Sequence, residues 1–147
     1  MNRVVKLIED LAVNLTNTPE VLIVEDSRDD VDLISYSLNK VGCQVYSCDN
    51  LNDVIKIFND RLTKNKDYPF DIVLLDLKLI GPDGTEVLKY IHRVTPKIPV
   101  ILVTGHPSGE MIEKAMKIGY FGLVSKPLEK LTIEKIFQQH KINYRES

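Results

Sequence analysis

Glu25 and Asp26 follow directly on the apolar run Val21-Leu22-Ile23-Val24. Asp76 follows Ile72-Val73-Leu74-Leu75, Thr104 follows Val100-Ile101-Leu102-Val103, and Lys126 comes just after Gly122-Leu123-Val124. If these runs are parallel strands, three carboxylates, a hydroxyl and an ammonium meet at one sheet edge. Two carboxylates about 4 Å apart repel by about 4 kcal/mol at an effective dielectric near 20, so three need compensation. A proton is one answer and a divalent cation a better one. Oxygen-only ligands in small number suit Mg²⁺, which keeps several waters and binds phosphate oxygens beside one or two carboxylates. Such a metal would offset charge on an incoming phosphoryl group. Asp76 would then be the nucleophile of an aspartyl-phosphate. Lys126 would pair with a phosphoryl oxygen as a mobile point charge, and the Thr104 hydroxyl would donate to another.

Each residue also has a plainer role. Asp26 or Ser27 could cap the helix that starts near Arg28, and Ser27 is the better cap. Glu25 alone could be a solvated acid. Asp76 could open an Asx turn toward Gly81-Pro82-Asp83-Gly84. Lys126 alone would read as a surface lysine, and Thr104 alone as nothing in particular. The joint pattern carries the inference.

The elements that must position these residues are legible. The four runs are apolar on consecutive positions, as in strands covered on both faces of a parallel sheet. A fifth, weaker strand is Gln44-Val45-Tyr46-Ser47. Between them lie helical faces: Val31, Ile34, Leu38 and Val41; Val54, Ile57, Phe58 and Leu62; Val87, Leu88 and Ile91; Met111, Ala115 and Ile118; and Leu131, Ile133, Ile136 and Phe137. Gly42 and Gly119 stand where helices should stop. Five alternations of strand and helix predict a doubly wound α/β fold, whose sites form at the carboxyl ends of the strands. Val4, Ile8, Leu11 and Leu15 predict an extra N-terminal amphipathic helix over about Arg3 to Leu15. The expected division is residues 1–19 for that helix and a linker, and residues 20–147 for the domain.

The bulk properties agree. The chain has 147 residues, 44% hydrophobic and 27% charged, a size and profile that suit one globular domain. A net charge of -2 disfavours direct nucleic-acid binding. No run approaches the roughly 18 apolar residues of a membrane span, and Glu9 and Asp10 spoil any signal-peptide core. Cys43 and Cys48 should be reduced and point to opposite sheet faces. A cytoplasmic location is expected.

On Glu25-Asp26, Asp76, Asp83-Gly84, Thr104 and Lys126-Pro127, in this order and spacing, the chain resembles the CheY-like response-regulator receiver family of bacterial two-component signalling, across about Glu20 to His140. The resemblance implies a flavodoxin-like sheet of order 2-1-3-4-5. It implies that Asp76 accepts a phosphoryl group from a phosphohistidine on a histidine kinase or histidine phosphotransfer protein. Asp26 would bind Mg²⁺ directly, Glu25 would support it, and the backbone carbonyl of Lys78 would be a further ligand. Thr104 and Lys126 would bond the phosphoryl group, and the Lys126–Pro127 peptide would be cis. A downstream protein would dock on the face of the fourth helix, fifth strand and fifth helix. The chain would be no enzyme beyond promoting its own phosphorylation and a weak autophosphatase activity.

Three positions depart from the family. Ile80 stands where many members have proline, with Pro82 two residues on. Gly105 replaces the usual alanine after the switch hydroxyl. Leu123 occupies the switch position usually held by Tyr or Phe; it is expected to fill the space behind Thr104, with Phe121 on the same strand face as a weak substitute. Leu123 leaves room for an alternative, a receiver-like module that signals without phosphorylation, which the intact acidic set opposes. A flavin carrier on the same topology would need a phosphate loop where Glu25-Asp26-Ser27-Arg28-Asp29-Asp30 stands. A phosphatase with an aspartate nucleophile would need a second Asp two residues after Asp76, where Lys78 stands. Too few residues follow Lys126 for more than one helix, so a stand-alone receiver or a piece of a larger protein is expected. The N-terminal helix could serve as a homodimer contact, a cover for the sheet, or the end of an upstream signalling helix.

Overall fold

The computed structural model describes residues 18–40, 42–64, 68–79, 84–105 and 109–126. They form strands β1 (Glu20–Val24), β2 (Gln44–Cys48), β3 (Ile72–Leu75), β4 (Val100–Thr104) and β5 (Gly122–Ser125). The helices are α1 (Arg28–Lys40), α2 (Leu51–Thr63), α3 (Gly84–Val94) and α4 (Glu110–Ile118). All pairings are parallel, in the order β2-β1-β3-β4-β5. The expected N-terminal helix, the helix around Ile133, and Ile80, Pro82, Asp83 and Pro127 lie outside the described residues. Among the described residues no helix is long and apolar enough to cross a membrane.

The strand runs do not alternate because both faces are covered. Val21, Ile23, Ile72, Leu74, Ile101 and Val103 pack with Ile34 and Leu38 of α1. Leu22, Val24, Val73, Leu75 and Leu102 pack on the other face with Val54 and Phe58 of α2, Val87, Leu88 and Ile91 of α3, and Ile112 and Ala115 of α4. Each such aliphatic side chain, once buried, contributes about 1.5–3 kcal/mol. Cys43 lies in the first core and Cys48 in the second, so the two buried, free thiols are separated by the sheet. Gly42 ends α1 at a φ of 87°, with the Cys43 N–H donating back to Leu38 O (3.0 Å). Gly119 ends α4 at a φ of 107°. These left-handed conformations suit glycine because a Cβ would crowd the backbone.

Two expectations about β5 are corrected. Leu123 is 38% exposed and belongs to neither core, so it does not fill a buried space behind Thr104. It pairs in register with Leu102, which places it on the α2–α4 face at the sheet's edge strand. Phe121 packs with the α1-side core instead, because it precedes the strand and escapes its alternation. It is therefore no substitute for Leu123.

The amino end of the sheet is pinned by Arg61 of α2, buried despite its charge. Its guanidinium donates to Glu20 Oε2 and to Pro69 O, both at 2.8 Å. It also lies over the rings of Tyr46 (4.4 Å) and Phe70 (4.2 Å), where its planar, weakly hydrated cation stacks well. One side chain thus joins α2 to β1, β2 and the loop into β3. Arg61→Ala should destabilise the fold by about 2–3 kcal/mol, because Glu20 and Pro69 O lose their donor. Arg61→Lys should recover little of this, since an ammonium offers no planar fork. Urea denaturation of the three proteins would measure both differences.

Candidate functional site

The register brings the strand ends level. Val24 lies opposite Cys48 and Leu75, Leu75 opposite Leu102, and Thr104 opposite Ser125. The next residue of each strand therefore emerges at the same edge. Backbone bonds carry the ladder just past the strands: Glu25 N–H to Cys48 O (2.9 Å), Asp76 N–H to Val24 O (2.9 Å) and Lys126 N–H to Thr104 O (2.8 Å).

Glu25 and Asp76 are buried and Asp26 is half-buried. One carboxylate oxygen from each of the three lies within 4.8 Å of the others. The Glu25 carboxylate turns back on its own chain, accepting from the N–H of Asp26 (3.0 Å) and of Ser27 (3.2 Å). Ser27 is the helix cap, its Oγ accepting from the Asp30 N–H at 3.4 Å, which leaves Asp26 for other work. Asp76 Oδ1 accepts from the Lys78 N–H at 2.9 Å, so the Asx turn forms as well, and it orients the carboxylate. Lys78 itself is exposed, with its backbone beside Asp76. Thr104 is buried at the end of β4.

Lys126 binds this cluster together. Its Nζ donates to Glu25 Oε1, to Asp30 Oδ2 (2.8 Å) and to Asp76 Oδ2 (3.1 Å). Asp30 is the residue that sequence reasoning missed. Its signal was available: it is an acid in the first turn of α1, three residues after the Ser27 cap and close behind Glu25 and Asp26. Three carboxylates thus share one ammonium, with that of Asp26 beside them, and the site remains short of positive charge. Burial pushes the Glu25 carboxyl up to about 7, the nearby Asp76 carboxyl adds to the shift, and Lys126 opposes it. Desolvation would lower Lys126, but its bonds to Asp30, Glu25 and Asp76 outweigh that and hold it well above its usual value.

Gly84 explains how α3 can start so close to Asp76. Its N–H donates to Leu77 O at 2.8 Å. A Cβ there would overlap Leu77 Cα and come within 2.5 Å of Asp76 O, both backbone atoms. Only glycine lets the helix press against the segment that carries the carboxylate. A cleft of about 230 Å³ opens on the other side, between the start of α1 and the end of β2, lined by Glu25, Asp26, Arg28, Asp49 and Asp53 among others.

The raised Glu25 carboxyl has a measurable consequence in metal-free buffer. Between its usual 4.5 and about 7 the folded chain holds a proton that the unfolded chain has released. Stability should therefore fall as pH rises through this window, by on the order of 3 kcal/mol. Glu25→Gln should flatten the fall. Urea midpoints measured across the window in EDTA would check both.

Comparison with known proteins agrees with this geometry. Residues 21–138 match the response regulator receiver domain model. The chain is 31% identical over 110 residues to the sporulation initiation phosphotransferase F of Bacillus subtilis, covering 75% of this chain and 83% of that protein. It is 26% identical over 110 residues to the response regulator protein PilR of Pseudomonas aeruginosa, but spans only 23% of that protein's length. Among solved structures, a CheY-like response regulator receiver domain protein from Methanospirillum hungatei superposes with a TM-score of 0.74 at 26% identity, covering 89% of this chain and all of the other. With the sheet order, the acidic strand ends and the lysine beside them, these matches show that the chain belongs to the response regulator receiver domain family of two-component signalling.

Proposed function

We propose that Asp76 accepts a phosphoryl group from a phosphohistidine, in a Mg²⁺-dependent reaction, and that the modified chain changes its protein partners. The observation that carries this reading is the Asp76 carboxylate, placed within 4.8 Å of Glu25 and Asp26 and held by Lys126. The donor set fits Mg²⁺: oxygen atoms only, and more negative charge than one ammonium can balance. Asp26 and Asp76 would hold the ion, with Glu25 in support and the Lys78 backbone carbonyl as a further ligand. When bound, the ion supplies positive charge against the phosphoryl oxygens.

The rest falls to the chain. An Asp76 oxygen attacks phosphorus while the phosphorus–nitrogen bond breaks, its electron pair leaving with the imidazole, which takes up a proton. The Lys78 N–H on Oδ1 keeps the carboxylate aimed. Lys126 pairs with a phosphoryl oxygen, and the Thr104 hydroxyl donates to another. Hydrolysis of the acyl phosphate by water returns the resting chain, the weak autophosphatase activity expected of such a site. The donor is a histidine kinase or phosphotransfer protein. A cytoplasmic location suits the two free thiols.

Acetyl phosphate with Mg²⁺ should add one phosphoryl group to the intact chain, seen by mass spectrometry. Asp76→Asn or EDTA should abolish the gain, and Asp26→Asn should weaken Mg²⁺ binding by more than about tenfold in calorimetry. An Asp76→Asn chain that still gained the group would overturn the assignment.

Signal output follows from Thr104 rather than Leu123. Thr104 is buried beside the site, whereas Leu123 is exposed and has no ring to turn inward. The change would reach the face of α4 and β5 through backbone shifts. NMR shift maps of the phosphorylated chain should therefore collapse in Thr104→Ala and persist in Leu123→Ile. Full shifts in Thr104→Ala would rule this route out.

A further inference from the structure

Lys126 has no spare donor. An ammonium carries three N–H groups, and three carboxylates, those of Glu25, Asp30 and Asp76, accept from it. Any new acceptor at Lys126 must displace one of them. The three are not equivalent. The side chains of Glu25 and Asp76 are 2% and 7% exposed, whereas that of Asp30 is 36% exposed. A carboxylate released into water recovers its hydrogen bonds there, while one released inside the protein does not. Asp30 is therefore the partner given up at least cost. It also stands apart from the others: it lies on α1, not at a strand end, and it is no member of the Glu25–Asp26–Asp76 cluster. Its bond to Lys126 ties α1 to the residue after β5, across 96 positions of sequence.

We propose that Asp30 is a positioning residue, which restrains Lys126 in the resting chain and competes with a phosphoryl oxygen for its ammonium. This rests on the reading of Lys126 as the phosphoryl partner. Asp30 touches neither the nucleophile nor the incoming group; it acts by setting how readily Lys126 turns toward them. The resting contact holds the ammonium near Asp76, and its loss on modification loosens α1 from the end of β5.

Two measurements on the full chain test this. The first uses beryllofluoride, a phosphoryl mimic, titrated with saturating Mg²⁺ and followed by ¹⁹F NMR. Asp30→Ala should raise its affinity about fivefold, the gain from removing one half-exposed competitor. Asp29→Ala removes the same charge from the same helical turn at an exposed position, and should change affinity much less. In a Lys126→Met background, Asp30→Ala should do no more than Asp29→Ala. An unchanged or lower affinity in Asp30→Ala, an equal gain in Asp29→Ala, or a gain that survives Lys126→Met would each overturn the proposal. The second follows the ¹⁵N signal of the Lys126 ammonium without any ligand, identified by its loss in Lys126→Met. Its protons should exchange with water faster in Asp30→Ala than in the unaltered chain, and unchanged exchange would overturn the restraint. If no form bound beryllofluoride, the phosphoacceptor reading would fail on its own, while the exchange rates would still decide whether Asp30 restrains the lysine.

Discussion

The ion cluster around the Lys126 ammonium is the constraint on which the site depends. A parallel sheet gathers its strand ends at one edge, and here those ends and the first turn of α1 carry four acids. Left alone, they would repel one another in a partly desolvated pocket. One lysine, arriving from the far side of the sheet after β5, holds Glu25, Asp30 and Asp76 together. The balance is incomplete, and burial, with the Asp76 carboxyl beside it, keeps the Glu25 carboxyl high. Such a pocket is neutral enough to fold and negative enough to prefer a divalent cation over another acid.

The packing serves this edge from below. The central strands β1, β3 and β4 are buried on both faces, so they can slide neither relative to one another nor relative to the helices without exposing apolar surface. That rigidity sets the Glu25, Asp76 and Thr104 backbones to within one residue of a common level. Gly84 adds a second restraint by letting α3 lie directly on the Asp76–Leu77 backbone. At the opposite edge Arg61 plays the matching part, closing the amino ends of the sheet with a stacked and hydrogen-bonded cation. Among the described residues the buried charged side chains, Glu25, Asp76 and Arg61, thus lie at the two ends of the sheet, with hydrocarbon between. At the carboxyl end the acids outnumber the cation, whereas Arg61 is matched by Glu20 and by a carbonyl.

The departure at Leu123 has a structural setting. On an edge strand, a side chain on the α2–α4 face is flanked by a neighbour on one side only, so a leucine there stays partly in water. Switching by rotation of a buried ring is not available to it. In the proposed switch, movement would pass through the backbone of β4 and β5, where Lys126 N–H and Thr104 O join the two strand ends. On that proposal, the lysine side chain and the threonine backbone would be parts of one short path from the acidic cluster to the outer face.

The sequence by itself determined the sheet and most of the site. Consecutive aliphatic residues in Val21–Val24, Ile72–Leu75 and Val100–Val103 can be satisfied only by strands covered twice, and a doubly wound sheet orders its carboxyl ends along one edge. That places Glu25, Asp26, Asp76, Thr104 and Lys126 together without knowledge of any side-chain contact. The tertiary structure alone decided the rest. Asp30 became a partner of Lys126 because the packing of α1 on the sheet leaves its first turn within reach of the lysine side chain. Leu123 stayed exposed because its strand is the last in the sheet's order, and Arg61 went inside because two rings and two acceptors converge on it. Local pattern encodes which face a residue takes; it does not encode which distant residue that face will meet, because that depends on how the elements settle against one another.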